Sequence, residues 1–448
     1  MEVIEKTYLK STSFQLLQNW SVRYLLESRF SYNEKFELVT IGSFLRKSSN
    51  KTKIEKGKLY QRVTVKINNG GVIPRDTEFG ENIGTKIQFE IKPGQFLMSK
   101  IDARNGAFGL VPADLDGAIV TNDFPVFDVD NSKVMPEFLV LITTTKEFIQ
   151  FAQSCSSGTT NRQRIDIESF LNVKIPLPTL TEQKRIVDSY NIKIIQAEEL
   201  EEKAKNLEED IEEYFYAELG YKKDDKINHK NFRTISYSKL ARWDFKEVST
   251  LISKYPIIKV RDLVQSISTG TTPPTSNKEY FENGKIQFYT PADLGQEKYL
   301  NNAERKVTSL AIKNKKARQF NRGTLLFVGI GSTVGKVGIV NNEFAASNQQ
   351  ITGLTFHPDN VSLEYVYYYF YYFKHITTKE KTQATIPIVN QDKILNIPIP
   401  FPNKEVQIRI SEEISKRKVT VKELKENSYK TKNAAIKDFR NEIFKICN

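Results

Sequence analysis

The chain is written twice, and that duplication constrains its fold more than any other property of its 448 residues. The repeat recurs at an offset of roughly 220 residues, far longer than a solenoid period and right for a duplicated domain with an appended helix. Ile91 to Val111, IKPGQFLMSKIDARNGAFGLV, lies without gaps over Phe320 to Val340, FNRGTLLFVGIGSTVGKVGIV. That alignment pairs Gly94 with Gly323, Gly106 with Gly335 and Gly109 with Gly338. Pro136-Glu137-Phe138-Leu139 then corresponds to Leu363-Glu364-Tyr365-Val366, each opening a segment with helix-like apolar content. Ile175-Pro176-Leu177-Pro178 is read as returning in Ile397-Pro398-Ile399-Pro400, and Gln183-Lys184-Arg185-Ile186 in Gln407-Ile408-Arg409-Ile410. Each globular half therefore leaves through a proline-punctuated strand and enters a helix.

Both exit helices are long. In the first, Ala197, Leu200, Ala204, Leu207 and Ile211 step by three and four, the period of a coiled-coil seam. The second carries Ile410, Ile414, Val421 and Leu424, with Arg417, Ser428 and Thr431 as polar interruptions. Residues 181–220 hold five basic and twelve acidic side chains, net −7, whereas 404–448 hold twelve and seven, net +5. Matching seams of opposite charge in one chain favour mutual packing. At about 1.5 Å per residue such a helix reaches nearly 60 Å, the length of a spacer. Globular segments are expected over 12–178 and 236–402, spacer helices over 179–220 and 403–448, and a polar connector over 221–235.

Within the globular halves, β-branched runs such as Phe36–Ile41, Tyr60–Lys66, Ile257–Val260 and Thr324–Val328 alternate with Gly, Asn and Pro turns and a few helices. The fold class is α/β in the mixed α+β sense. The Tyr-rich run 365–373 suits a core better than a base-stacking platform, because so many rings in one segment must pack together. The start, MEVIEKTYLK, has no signal-peptide pattern, and no apolar window approaches the ~18 residues of a membrane span. A soluble, cytoplasmic protein with no membrane partner is expected.

Lys and Arg total 66 against 54 Asp and Glu, a formal net charge of +12 that points to a polyanionic partner. The cations gather in Gly- and Asn-bearing loops: Arg62, Lys66 and Arg75 around NNGG, Lys100 and Arg104 around RNG, Arg162 and Arg164 in SSGTTNRQR. In the second half Lys316, Arg318 and Lys336 lie in comparable contexts. Such side chains reach phosphates, and Arg, Asn or Gln read base edges.

Catalytic and metal chemistry find little support. Cys155 and Cys447 make no disulfide framework, and His229, His357 and His375 lack ligand spacing, so no metal site and no catalytic residue is expected. GIGSTVGK at Gly329–Lys336 resembles a phosphate loop, but the glycine spacing is too short and Val337 replaces the Ser or Thr. FVGIG has the shape of a methyltransferase cofactor loop, yet its counterpart Met98–Asp102 lacks both glycines and the chain has no Asn- or Asp-Pro-Pro-aromatic tetrapeptide. A turn between strands is the better reading.

The order of globular half, IPLP exit, long helix, second half, second exit and second helix resembles the DNA specificity subunit of type I restriction-modification systems. The resemblance covers nearly the whole chain. It is carried by IPLPTLTEQKRIV at Ile175–Val187 and by STGTTPPTSNKEYFENGKIQFYTPADL at Ser268–Leu294, which looks like the opening of a target recognition domain. The first half has LYQRVTVKINNGG in place of that opening, and the second exit is degenerate, KEVQIRI.

The resemblance implies two target recognition domains separated by two antiparallel coiled-coil helices. Each domain would read half of a bipartite DNA target, and the helices would fix the gap between the halves. Two modification subunits would dock on those helices, with restriction subunits possible as further partners. No cofactor is expected in this chain; S-adenosylmethionine, Mg and ATP belong to the partners. The expected DNA-binding residues are Arg62, Lys66, Arg104, Asn105, Arg162 and Arg164 in the first half. Thr271, Lys278, Tyr289, Lys316, Arg318 and Lys336 are those of the second. The competing readings are the specificity subunit of a related type II system, a standalone DNA methyltransferase using FVGIG, and a protein-binding scaffold.

Overall fold

The computed structural model describes residues 31–154, 156–157, 164–221, 251–378 and 386–445. Arg162, the expected connector beyond Tyr221, and the first residues of both expected globular segments lie outside them. The chain divides into two compact units, Met1–Leu200 with Glu426–Asn448, and Glu201–Lys425. The first long helix, Leu180–Leu219, and the second, Lys404–Ile443, therefore each contribute one stretch to each unit.

The two units repeat one strand plan. In the first, Leu45–Lys47, Val126–Val129, Phe96–Met98 and Phe108–Leu110 form one sheet in that order. A second sheet runs Lys51–Lys53, Ile87–Glu90, Ile119–Val120, Leu59–Val65 and Val72–Phe79, with Ile119 parallel to Arg62. In the second unit, Val264–Thr269, Ile351–Phe356, Leu325–Val328 and Val337–Val340 repeat the first order, and Tyr299–Leu300 is added at its edge. Arg305–Val307, Ile286–Tyr289, Phe344–Ser347 and Gln319–Asn321 repeat the last four strands of the second from its other end, without a counterpart to Lys51–Lys53, and with the same parallel step at Phe288 and Ala346. Glycines matched by sequence do matched work. Gly94 and Gly323, at φ 78° and 83°, donate their N–H groups to Val111 and Val340 at 2.9 Å each.

The exit strands correct one equivalence. Ile175 pairs with Val39 and Ile399 with Ile258, so Ile175 corresponds to Ile399 and not to Ile397. Ile-Pro-Ile-Pro is nearly self-similar at a two-residue shift, and a strand's side-chain period is also two, so the slip leaves the apolar face unchanged.

With that register, the helix starts coincide. Thr179 Oγ accepts the N–H of Glu182, Asn403 Oδ1 accepts that of Val406, and each cap follows a proline. One turn on, Gln183 and Gln407 are fully buried. Gln183 Oε1 accepts the Met135 N–H at 2.7 Å, while its Nε2 donates to the carbonyls of Lys133 (2.9 Å) and Pro178 (2.8 Å). Gln407 repeats this with Ser362 N–H (2.8 Å), Asn360 (3.2 Å) and Pro402 (2.8 Å). Met135 and Ser362 cap the helices Pro136–Thr143 and Leu363–Tyr372, so each glutamine ties a domain helix to a long helix.

The long helices pack antiparallel in both units. In the first, Ile186 and Val187 share a core with Phe439 and Ile443, and Arg185 pairs with Glu442 and Lys193 with Asp438. The buried Ser428 donates to the Ala197 carbonyl at 2.8 Å, which satisfies a polar seam position. In the second unit, Ala204 and Ile211 share a core with Ile410, Ile414 and Val421, and Leu207 and Leu424 are partly buried against it. Arg417 lies 4.4 Å from the Tyr214 ring centroid, a cation–π contact at another polar seam position. Ala197 is buried and Leu200 half-buried. The tyrosine run forms the helix Leu363–Tyr372, with Tyr365, Tyr367, Tyr368 and Tyr369 buried as core. Among the described residues no helix is long and apolar enough to cross a membrane.

Two outcomes follow from the helix roots. Gln183→Ala strands a buried N–H and two carbonyls, and should cost about 3 kcal/mol in denaturant unfolding; a loss below a few tenths would contradict the anchoring role. Hydrogen bonds from Arg185 and Lys35 hold the Glu182 carboxyl down to about 2. Its contribution is therefore complete above the ordinary value of 4.5 and is lost as pH falls from there towards about 2. Glu182→Gln should flatten that part of an acid-unfolding profile followed by circular dichroism, and an unaltered profile would remove the ion pair from the account.

Candidate nucleic-acid interface

In the first unit the NNGG turn folds onto the following RNG turn. Asn68 and Asn69 adopt left-handed φ of 57° and 60°, a conformation Asn tolerates better than most residues. Their N–H groups donate to the carbonyls of Asn105 (2.8 Å) and Gly106 (3.1 Å). This brings exposed Lys66 and Asn105 together with half-buried Arg104. Lys100, on the strand end before Arg104, donates its N–H to the Asp123 carbonyl at 2.8 Å and accepts the Ile165 N–H at 2.9 Å. The next residue back, Arg164, pairs with Asp123 at 3.2 Å. Burial, together with the charges of Lys47 and Arg164, holds the Lys100 ammonium below the usual lysine value. Lys66, Arg104, Asn105 and Arg164 thus belong to interlocked loops.

Arg62 is placed differently. It sits within the strand Leu59–Val65 and is bound by Asp76 through Nε (2.6 Å) and a terminal nitrogen (2.9 Å). The hydrogen bond to Asp76 raises the Arg62 value and lowers that of Asp76. A side chain so engaged is a cross-strand tie first.

In the second unit the loop after Phe344–Ser347 is the meeting point. Asn348 N–H donates to the Tyr289 carbonyl at 3.1 Å, and Gly270 N–H to Ile351 at 2.9 Å, which draws in the Gly270–Thr272 turn. Thr272 hydroxyl donates to Gln349 Oε1. Thr271 is adjacent, with its hydroxyl oxygen buried and without a hydrogen-bond partner. Arg318 immediately precedes Gln319, which pairs with Ala346, so it lies by the same strand end; exposed Lys316 is on the turn leading there.

Two expected contacts, Tyr289 and Lys336, are turned away from these loops, and a third, Lys278, is exposed on a helix of its own. Tyr289 is fully buried, its hydroxyl donates to Asn342 at 2.8 Å, and burial pushes its phenol up to about 12. The ring is core and is out of reach of a duplex; a tyrosine beside a turn looks exposed only until the sheet is closed over it. Lys336 donates to the Pro291 carbonyl at 3.4 Å and lines a cavity of about 540 Å³ with Glu208, Glu212 and Lys418, facing the long helix and not the loops. Lys278 is exposed within the short helix Lys278–Tyr280, beside Glu282 at 4.0 Å.

Sequence reasoning did not single out Asp123, Asn348, Gln349 or Gln350. The signal was present: VTND at Val120–Asp123 and SNQQ at Ser347–Gln350 occupy equivalent places beyond equivalent strands. Among the described residues no group of three or more His, Cys, Asp or Glu could hold a metal ion.

Comparison with known proteins fits this duplicated geometry. The sequence model of the family described as "Type I restriction modification DNA specificity domain" matches residues 33–209 and again 252–435. The Type I restriction enzyme MjaIX specificity subunit of Methanocaldococcus jannaschii is 31% identical over 185 residues, covering 39% of this chain and 41% of its own length. The EcoR124I/EcoR124II specificity subunit of Escherichia coli is 24% identical over 151 residues, 33% of this chain and 37% of that relative. The chain thus spans about two fifths of the length of these curated relatives in each alignment. A solved chain from work on complex assembly and conformational transition of the type I R-M system superposes at TM-score 0.61 with 18% identity, over 92% of this chain and 97% of that one, a likeness of fold. With one match on each repeat and most of its length covered, the chain belongs to the type I restriction-modification DNA specificity domain family.

Proposed function

We propose that this chain is the sequence-specific DNA-binding subunit of a type I restriction-modification complex, non-catalytic in itself, with each unit reading one half of a bipartite target. The observation that carries the reading is the duplication of the loop rim. Each unit gathers cationic, amide and hydroxyl side chains on interlocked loops at the ends of equivalent strands. Loops held by a rigid sheet suit base reading, and lysines and arginines beside them suit phosphate neutralisation. Family membership supports the same reading.

The two long helices would set the gap between half-sites and dock two modification subunits, with restriction subunits as further partners. The acidic first helix, net −7 over 181–220, favours protein over DNA as its neighbour. S-adenosylmethionine, Mg and ATP would be held by those partners, which would also carry the chemistry on the flipped base.

Modification-sensitive long-read sequencing of cells with and without the gene tests the reading. A bipartite methyladenine motif should vanish with the gene; an unchanged pattern in cells expressing the whole complex would contradict it. In binding assays, log affinity should fall with log salt at about −0.9 per phosphate contact. Lys66→Ala and Arg318→Ala should each reduce that slope by about 1 on every sequence tested. Unchanged slopes would remove these two side chains from the interface.

A further inference from the structure

The rims of the two units share one backbone crossing but differ in chemistry. Lys100 N–H bonds the Asp123 carbonyl while the Lys100 carbonyl accepts Ile165 N–H; Gly329 N–H bonds the Gln350 carbonyl while the Gly329 carbonyl accepts Val389 N–H. All four bonds measure 2.8 or 2.9 Å. Position by position, Lys100 stands where the second unit has Gly329, Asp123 where it has Gln350, and Arg164 where it has Ile388. The first unit has thus placed three ionised groups on a crossing where the second has none.

From this substitution pattern, and resting on the DNA-reading function above, we infer that the two units read bases of different kinds. Arg164 contacts a guanine in one half-site, and Gln349 contacts an adenine in the other.

Arg164 is 58% exposed and meets both oxygens of Asp123, at 3.2 and 3.3 Å, through a single terminal nitrogen. That contact orients the guanidinium and leaves Nε and the second terminal nitrogen for O6 and N7 of guanine, the geometry a planar fork matches. Asp123 can accept from the exocyclic amine of the paired cytosine, so the ion pair suits a G·C pair as a unit. Lys100 lies beside it and adds positive potential without a fork of its own.

The second crossing carries neutral groups, with the cations Arg318 and Lys316 set at the neighbouring strand end. Gln349 is exposed, and the Thr272 hydroxyl fixes its carbonyl oxygen, which orients the amide. An amide so held donates to N7 and accepts from N6 of adenine. Behind it the amide of Asn348 donates to Gln350 Oε1 at 2.9 Å, which stiffens the loop. On the crossing itself, Gly329, Gln350 and Ile388 offer guanine's two acceptors no fork.

The test is selection from a randomised duplex pool by the complex containing the full chain, followed by sequencing, for the unmodified protein and for Arg164→Lys, Arg164→Ala and Gln349→Ala. Both Arg164 variants should relax one G·C position in one half-site, by about ten- to a hundredfold in discrimination, and leave the other half-site intact. Lysine keeps the charge and loses the fork, so a failure of Arg164→Lys to rescue separates base reading from simple attraction. Gln349→Ala should relax one A·T position in the opposite half-site only. The untouched half-site in each experiment reports that the protein is folded. A bipartite motif that all three variants select unchanged, or relaxation at a base of the other kind, overturns the inference while leaving the DNA-reading function standing. An unmodified protein that selects no sequence overturns both.

Discussion

A glutamine side chain has one acceptor oxygen and two donor hydrogens, and at the root of each long helix all three are spent inside the protein. Gln183 takes the N–H of the residue capping one domain helix and returns bonds to two carbonyls, one of them the proline that precedes its own helix. Gln407 does the same with Ser362, Asn360 and Pro402. Because both side chains are fully buried, these bonds have no competition from water, and any rotation of the helix against its domain would strand them. The attachment of each domain to its helix is therefore stiff, and stiffness there is what the proposed measuring of distance along DNA would require.

Beyond those roots, duplication has kept the skeleton and changed the side chains that face outward. The strand orders, the parallel step, the left-handed glycines before the third shared strand and the loop crossing at Lys100 or Gly329 all recur. The helices divide the labour in another way. Their seams are mostly apolar, and polar seam positions find partners, Ser428 bonded to Ala197 and Arg417 resting on Tyr214, while opposite net charges on the two helices appear as cross-helix pairs such as Arg409 with Glu218 and Lys425 with Glu208.

Much of the fold was legible because its signals are periodic. The glycine spacing of the repeat, the heptad positions Ala197, Ala204, Ile211, Ile410, Ile414 and Val421, and the proline exits all reported backbone geometry directly. Where periodicity is ambiguous the register is not legible: Ile397 and Ile399 stand two residues apart in a near-repeat, and only pairing with Ile258 decides between them. The rim was harder. Lys66, Arg104, Asn105 and Arg164 declared themselves as cations and an amide in glycine-bearing turns, and the structure interlocks them. Tyr289 and Lys336 sit beside similar turns and point elsewhere, because which way a turn faces is set by sheet closure, not by local sequence. Gln349 and Asp123 were marked only by the repeat, in the equivalent stretches SNQQ and VTND; their proposed role depends on strands distant in sequence ending side by side.

If the helix pair is the spacer between two stiffly attached readers, its length must set the gap and nothing else. Lengthening both helices together by one heptad, between Ala197 and Ile211 in the first and at the facing turn of the second, adds about 10 Å, or roughly three base pairs of duplex. Sequencing of the motif modified by the altered complex should return the same two half-sites with a gap longer by about that amount. An unchanged gap, or a change in the bases of either half-site, would contradict the account.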